Sequence, residues 1–267
     1  MTNDGKLHFS DLKRMAMSAQ HYEYWLRHEF EPTPAMRFGS LVHALILGGD
    51  YRSAPFADRK DKGYKEWKTA NEGIDNRGHA RLLVTQTELD RGHEAACRIL
   101  HNLGQIQLKD GRSATVLLDG KREHSIDWSF RGRPARSTLD VLTEDSVVDL
   151  KTSTTAEINR FQSHAGRMLY HAQMAFYAAA YCASGWDGQA EPACRVIAAE
   201  TKPPYAVTVH RLTDKALEKG MRCCVAWHEQ LETCERSGVW PGYAQSEVDW
   251  DIPDDAEIDF STEDEGE

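Results

Sequence analysis

The run Val147-Val148-Asp149-Leu150-Lys151-Thr152 has the make-up of a buried-type strand, yet it carries two charges. Burying a charge without a partner is costly, so a fold containing this strand has to supply an ion pair or a metal ion beside it. Upstream, Thr138 to Thr143 is a second short run rich in β-branched and aliphatic residues. The polar pair Glu144-Asp145 between the two runs suits a two-residue hairpin turn. With that pair as the loop, Thr143 faces Ser146, Val141 faces Val148 and Asp140 faces Asp149. Directly opposed residues on one face of an antiparallel pair lie about 4.5–5.5 Å apart. Alternation then puts Lys151 on the face of Asp149, with Val148 and Leu150 pointing into a core. Two carboxylates and an amine converge on one patch, and carboxylates that close repel unless a cation lies between them. Hard oxygen ligands suit Mg²⁺ or Mn²⁺. Taken without its flanks, the pattern also fits solvated charges on a surface hairpin.

The elements around the hairpin set the fold class. His8 to Glu29 reads as a helix with Ser10 as its N-cap, and Glu31-Pro32-Thr33-Pro34 breaks it. Ala35 to Leu47 is a second helix ending at Gly48-Gly49, with Gly39 allowing close approach of a neighbour. Residues 51–81 are polar and Lys-rich and read as loop plus a short helix. Thr85 to Gly104 is helical; Leu117-Leu118 and Ser125 to Phe130 read as strands leading into the hairpin. Ala165 to Ala183 is a helix with a wide apolar face, Cys194 to Ala199 and Tyr205 to Leu212 are strands, and Asp214 to Gly238 is a long closing helix. Helices, a strand meander, a crossover helix, two strands and a closing helix give an α/β (α+β) fold with a mixed central sheet flanked by helices. Residues 1–243 are expected to form one domain and 244–267 an acidic, partly disordered tail.

Net charge narrows the functional classes. Of the formal −10, the stretch Glu247 to Glu267 supplies eleven acidic residues and no Lys or Arg, so the body is close to neutral. That balance argues against strong non-specific DNA binding but leaves room for a nuclease with a local basic groove. No stretch approaches ~18 continuous apolar residues, so no membrane span is expected. Met1-Thr2-Asn3-Asp4-Gly5-Lys6 lacks a signal-peptide pattern, and the expected place is the cytoplasm. Cys97, Cys182, Cys194, Cys223, Cys224 and Cys234 show no zinc-like spacing and are expected to be reduced.

Three further features carry chemistry. Gln173 and Tyr177, four apart, share one helix face. His43 sits within the apolar run Leu41-Val42-His43-Ala44-Leu45, as a satisfied core histidine or as an imidazole that binds metal or phosphate. Glu123, ahead of Ile126 and Trp128, is either a plain strand-start carboxylate or a further acid for a metal site.

In order along the chain, six segments resemble the RecB-like branch of the PD-(D/E)xK nuclease superfamily, and within it the RecE-type (exonuclease VIII) nuclease domain. Phe9-Ser10-Asp11-Leu12-Lys13 is similar to its opening helix, and the run from Met36 through Gly39 and His43 to Leu47 to its Gly-x-x-x-His helix. Glu123 through Trp128 resembles its Glu strand, and Val148-Asp149-Leu150-Lys151-Thr152 its Asp-x-Lys-Thr element. Tyr170-His171-Ala172-Gln173-Met174-Ala175-Phe176-Tyr177 is similar to its Tyr-His-x-Gln-x-x-x-Tyr helix, and Glu200 through Val207 to its Glu-x-x-Pro-Pro-Tyr link. One departure stands out: the family's first metal Asp directly follows Arg-Pro, whereas Arg133-Pro134 is followed here by Ala135. The hairpin register gives that place to Asp140.

The resemblance implies a restriction-endonuclease-like core and metal-dependent hydrolysis of linear double-stranded DNA from its ends, leaving single strands for recombination. By it, Asp140, Asp149 and the Leu150 carbonyl hold Mg²⁺ or Mn²⁺, completed by His43 and Glu123. Lys151 orients water or stabilises charge, while Gln173 and Tyr177 position the site strands or the DNA. Lys121, Arg131, Arg133 and Arg136 are candidate phosphate contacts. An annealing protein of the RecT type and a ring-shaped homo-oligomer are implied partners. The competing expectation is a catalytically inactive module of the same fold that binds DNA or protein.

Overall fold

The computed structural model describes residues 4–28, 31–74, 81–185 and 191–250. A five-stranded mixed sheet organises it, in the order β3 (Lys121–Phe130), β4 (Arg133–Leu142), β5 (Ser146–Ser153), β6 (Ala193–Glu200), β7 (Val207–Arg211). The β3–β4, β4–β5 and β6–β7 pairs are antiparallel, and β5–β6 is parallel. A parallel neighbour requires a crossover connection, and α6 (Ile158–Arg167) and α7 (Tyr170–Ala183) provide it. A separate pair of short parallel strands, β1 (Tyr51–Ser53) and β2 (Leu82–Val84), brackets α4 (Tyr64–Asn71).

Helices cover both faces of the sheet. On one face α3 (Pro34–Leu47) and α5 (Gln86–Gly104) pack on Val141, Val148, Leu150, Ile197 and Ala199. On the other, α7 lies on Ile126, Leu139, Leu142, Val147 and Val196. Outside it, α8 (Asp214–Ser237) joins α1 (Phe9–Met15) and α2 (Ala19–Arg27) around Phe130, Phe176 and Cys224. Because α7 is packed on both sides, its apolar face is wide. Gly220 is required there, since a Cβ on it would collide with the His171 backbone.

Local chemistry explains most boundaries. Thr33 caps α3 by accepting from the Met36 N–H at 3.3 Å, Pro34 opens the helix, and Gly48 closes it at φ 78°. Thr85 and Glu88 form a reciprocal capping box on α5. Thr213 and Gly238 bound α8.

Several expectations are corrected. The first helix is two, because Ser18 caps a new one, and the first is capped at His8 rather than Ser10. Leu117 and Leu118 lie in a 3₁₀ turn (Ala114–Leu118), not a strand. The helix drawn from Ala165 is likewise two, separated at Leu169, whose φ of 62° interrupts helical geometry. Residues 244–250 are exposed and carry no helix or strand. Glu29, residues 75–80 and the rest of the acidic tail, 251–267, lie outside the described residues. All six cysteines are free. Among the described residues no helix is long and apolar enough to cross a membrane.

Candidate active site

The hairpin register is the one the turn chemistry implies. Val141 pairs with Val148 and Leu142 with Val147, and Thr143 donates its N–H to Ser146 O at 2.9 Å. The β4–β5 ladder stops there. From Asp140 and Asp149 onward β4 stays with β3 while β5 stays with β6, so the two middle strands part like a fork. In place of a backbone partner, Leu150 N–H donates to Asp140 Oδ2 at 2.8 Å. A strand residue presents its N–H and C=O on the same edge, so the Leu150 carbonyl also faces β4.

A second irregularity aims the acids. Leu139 and Leu142 pack on the α7 side although they are an odd three positions apart, while Val141 packs on the α3 side. Alternation therefore slips at Asp140. Across the pair, Glu123 drops out of the β3–β4 ladder and takes φ 49°, a left-handed conformation uncommon outside glycine. Both acids meet His43 from α3: His43 Nε2 lies 3.0 Å from Asp140 Oδ2, and His43 Nδ1 lies 3.3 Å from Glu123 Oε1. α3 comes that close because Gly39 packs on Thr152, where a Cβ would lie 2.5 Å from Oγ1.

Asp149 and Lys151 occupy the other prong of the fork. Asp149 is 1% exposed, its Oδ2 is 2.7 Å from Lys151 Nζ, and among the described residues neither carboxylate oxygen accepts a well-formed hydrogen bond. The Lys151 ammonium lies 5.1 Å from the centre of the Tyr170 ring. On α7, Gln173 Nε2 donates to the Tyr177 hydroxyl at 2.9 Å. Tyr177 is near enough to Asp149 and Lys151 to sense both charges.

Electrostatics follow from this packing. Burial pushes Asp149 up, the Lys151 ammonium pulls it down, Asp140 raises it again, and the net is upward. Asp140 is disfavoured as an anion by burial, but His43 and Lys151 outweigh that and hold it below the ordinary range. Burial opposes charging His43, yet hydrogen bonds to Asp140 and Glu123 raise it to about 10, so it is an imidazolium at neutral pH. Lys151 is likewise held charged, its burial outweighed by Asp149 and Asp140. The Tyr177 phenol is kept neutral by burial and by Asp149.

Of the residues expected at the site, His43, Glu123, Asp140, Asp149, Leu150, Lys151, Gln173 and Tyr177 line the fork or the helices beside it. Among the described residues no group of three or more His, Cys, Asp or Glu stands ready-made to hold a metal ion. The side chains nonetheless fit a hard divalent cation. A buried carboxylate, a second carboxylate beside it and an adjacent main-chain carbonyl are oxygen donors of the kind a hard divalent cation takes. His43 can join such a set only after losing its proton.

The expected phosphate contacts are placed differently. Arg131 pairs with Glu229 at 3.0 Å, and Arg133 holds Glu235 at 2.8 Å, tying the β3–β4 turn to α8. Arg136 holds Asp127 and Asp4. Arg133 is seven residues along β4 from Asp140, roughly 23 Å of strand. Lys121 lies near the fork, opposite Leu142. Two neighbours carried no role in the sequence reading: Tyr170, and Lys13, whose Nζ is 6.0 Å from the Tyr170 ring and whose pKa is lowered by burial and by Lys151. Both stand inside the segments quoted for the resemblance, which was the signal available.

A family model described as "PDDEXK-like domain of unknown function (DUF3799)" matches residues 8–248. Among solved structures, the chain is similar to a protein of Eubacterium rectale described as "Putative exonuclease", with a TM-score of 0.58 and 14% identity over 89% of this chain and 84% of that one. At that identity the likeness concerns the fold: a mixed sheet flanked by helices. No curated protein matches the chain.

Proposed function

The chain belongs to the PDDEXK-like family, and on that premise we propose that it is a metal-dependent deoxyribonuclease that hydrolyses linear duplex DNA from its ends. The observation that carries this reading is Asp149: a buried carboxylate with an unbonded oxygen, beside Asp140 and against Lys151, in a fork where the sheet hydrogen bonding has been given up. Asp140, Asp149 and the Leu150 carbonyl would hold the ion, with Glu123 and deprotonated His43 beside them. Bound Mg²⁺ or Mn²⁺ supplies charge neutralisation at the scissile phosphate and a lowered pKa for water.

The chain's own groups supply the rest. Lys151 remains an ammonium and offers its donors to the negative charge that develops on the phosphate oxygens. Tyr170 limits where that ammonium can lie. The neutral Tyr177 hydroxyl, oriented by Gln173, gives the same wall a donor that does not titrate at neutral pH. Asp140 holds Leu150 in place through the main chain. The product of such an activity is a single-stranded end suited to an annealing partner of the RecT type, and continuous resection suits a ring-shaped homo-oligomer.

The test is digestion of end-labelled linear duplex with Mg²⁺ or Mn²⁺, comparing wild type with Lys151→Ala. Loss of digestion in the variant is expected. No digestion by wild type in either metal refutes the nuclease reading, and equal digestion by both proteins refutes the assigned site. A second reading, an inactive module that binds DNA, is favoured by the His43 imidazolium already paired with Asp140 and Glu123. Duplex binding without digestion would select it.

A further inference from the structure

Where β5 ends, the chain passes through Thr154 and Thr155 into α6, and a groove of about 470 Å³ opens there. Its walls include Thr154, Thr155, Arg160, Ser163, His164 and Arg167. α6 is strongly amphipathic: Phe161 is buried, and Arg160, Ser163, His164 and Arg167 recur at helical spacing on the side that faces the groove. The loop leading in is fixed, because Ala156 N–H donates to Glu200 Oε1 at 3.0 Å and the Thr208 hydroxyl donates to Ala156 O at 3.0 Å.

The two arginines differ from most others in the molecule. Arg131, Arg133, Arg136, Arg112 and Arg59 are all engaged with carboxylates. Arg160 and Arg167 are exposed, and among the described residues neither guanidinium makes an ion pair or hydrogen bond. The acid nearest in sequence, Glu157, is the helix N-cap and accepts the N–H groups of Asn159 and Arg160 at 3.1 and 2.8 Å. The groove is also joined to the fork. The His164 ring lies 6.3 Å from Tyr170, and Tyr170 is the ring against which Lys151 rests. Lys13 faces the same ring.

We propose that this groove binds phosphates of the DNA strand whose scissile bond lies at Lys151, with Arg160 and Arg167 as the phosphate-holding residues. The inference rests on the nuclease reading and adds the path of the strand to it. Guanidinium forks and hydroxyl donors match phosphate oxygens, and the groove gathers both from Thr154, Thr155, Arg160, Ser163 and Arg167.

The experiment measures binding of a fluorescent linear duplex by the full chain in EDTA, where a metal-dependent enzyme cuts nothing, between 50 and 200 mM KCl. Each phosphate contact contributes about 0.9 to the slope of log affinity against log salt. The double variant Arg160→Ala/Arg167→Ala is expected to bind more weakly at low salt, with a slope shallower by about 1.8. The double variant Arg131→Ala/Arg136→Ala is expected to keep the wild-type slope. Duplexes with 5′-phosphate and 5′-hydroxyl ends separate two sources of the same chemistry. Equal losses on both assign internal phosphates, a loss confined to the phosphorylated end assigns a terminal phosphate, and either sustains the groove. Wild-type slope and affinity in the α6 variant, with wild type binding and digesting DNA, overturn the groove alone. A wild type that neither binds nor digests DNA overturns the nuclease reading and the groove with it.

Discussion

Replacing Lys151 with Met keeps most of the side chain's volume and removes the ammonium paired with Asp149. Asp149, 1% exposed, is then left with the like charge of Asp140, which raises it, and the weaker pull of the His43 imidazolium. Leaving a buried carboxylate unpaired costs about 3–5 kcal/mol. Protonation sets a ceiling on that cost. Neutralising at pH 7 a carboxyl whose ordinary pKa is 3.8 costs about 1.36 kcal/mol per pH unit, or about 4 kcal/mol in all. The sign follows from proton counting. In the variant the folded carboxyl keeps its proton to higher pH than the unfolded chain does, so stability falls as pH rises above about 4 and levels off past the folded pKa. In the wild type Lys151 opposes that rise. The stability gap is therefore expected to be small near pH 4 and to widen towards pH 7, to at most about 4 kcal/mol. Urea unfolding of both proteins from pH 4.5 to 7.5 without metal measures it. Equal stability at pH 7, or a gap that does not change with pH, refutes the account of Asp149 as a buried charge held by Lys151.

Three other expectations follow from named contacts. His228 is fully buried, with no hydrogen bond to either ring nitrogen among the described residues and Glu232 at 3.7 Å, and burial lowers its pKa. The unfolded chain takes up that proton first, so stability is expected to fall as pH drops below about 6.5, by up to about 1.4 kcal/mol per unit, and the profile of His228→Leu to be flatter. Arg133→Ala removes the fork-like pair with Glu235 and is expected to cost about 1 kcal/mol in urea unfolding while leaving duplex affinity unchanged; a loss of affinity would return Arg133 to the DNA interface. Mn²⁺ at a hundred times its Kd is expected to raise stability by about 2.7 kcal/mol, read by calorimetry, and Asp149→Asn to abolish the gain.

The sequence was most legible where one local rule had no competitor. Glu144-Asp145 determined the hairpin register, and that register placed Asp140 at the mouth of the fork without help from the departure at Ala135. The Gly48 stop and the close approach at Gly39 were readable for the same reason. Where two rules competed, periodicity misled. Apolar spacing runs unbroken from the end of α6 into α7, but the backbone at Leu169 turns left-handed and separates them. The arginines of the β3–β4 turn were close to Asp140 in sequence, yet an extended strand converts each residue into about 3.3 Å of distance. Arg160 and Arg167, further from Asp140 in sequence, line a groove that opens where β5 ends, two residues past Lys151.

The slip at Asp140 accounts for two features with one cause. A regular β4–β5 ladder would carry Asp140 and Asp149 on paired strands, with their carboxylates fixed on the sheet faces by alternation. The alternation error between Leu139 and Leu142, matched by φ 49° at Glu123, turns Asp140 and Glu123 towards α3 instead. With that turn the Asp140 carboxylate takes over the Leu150 N–H that a β4 carbonyl would otherwise accept, and the strands separate. The broken ladder and the gathered acids are therefore the same event. A left-handed residue of this kind costs of order 1–3 kcal/mol and persists only where surrounding contacts hold it. Here the His43 contact to Glu123 and Asp140 helps hold it, which makes His43 a support of the fork's shape as well as a candidate ligand.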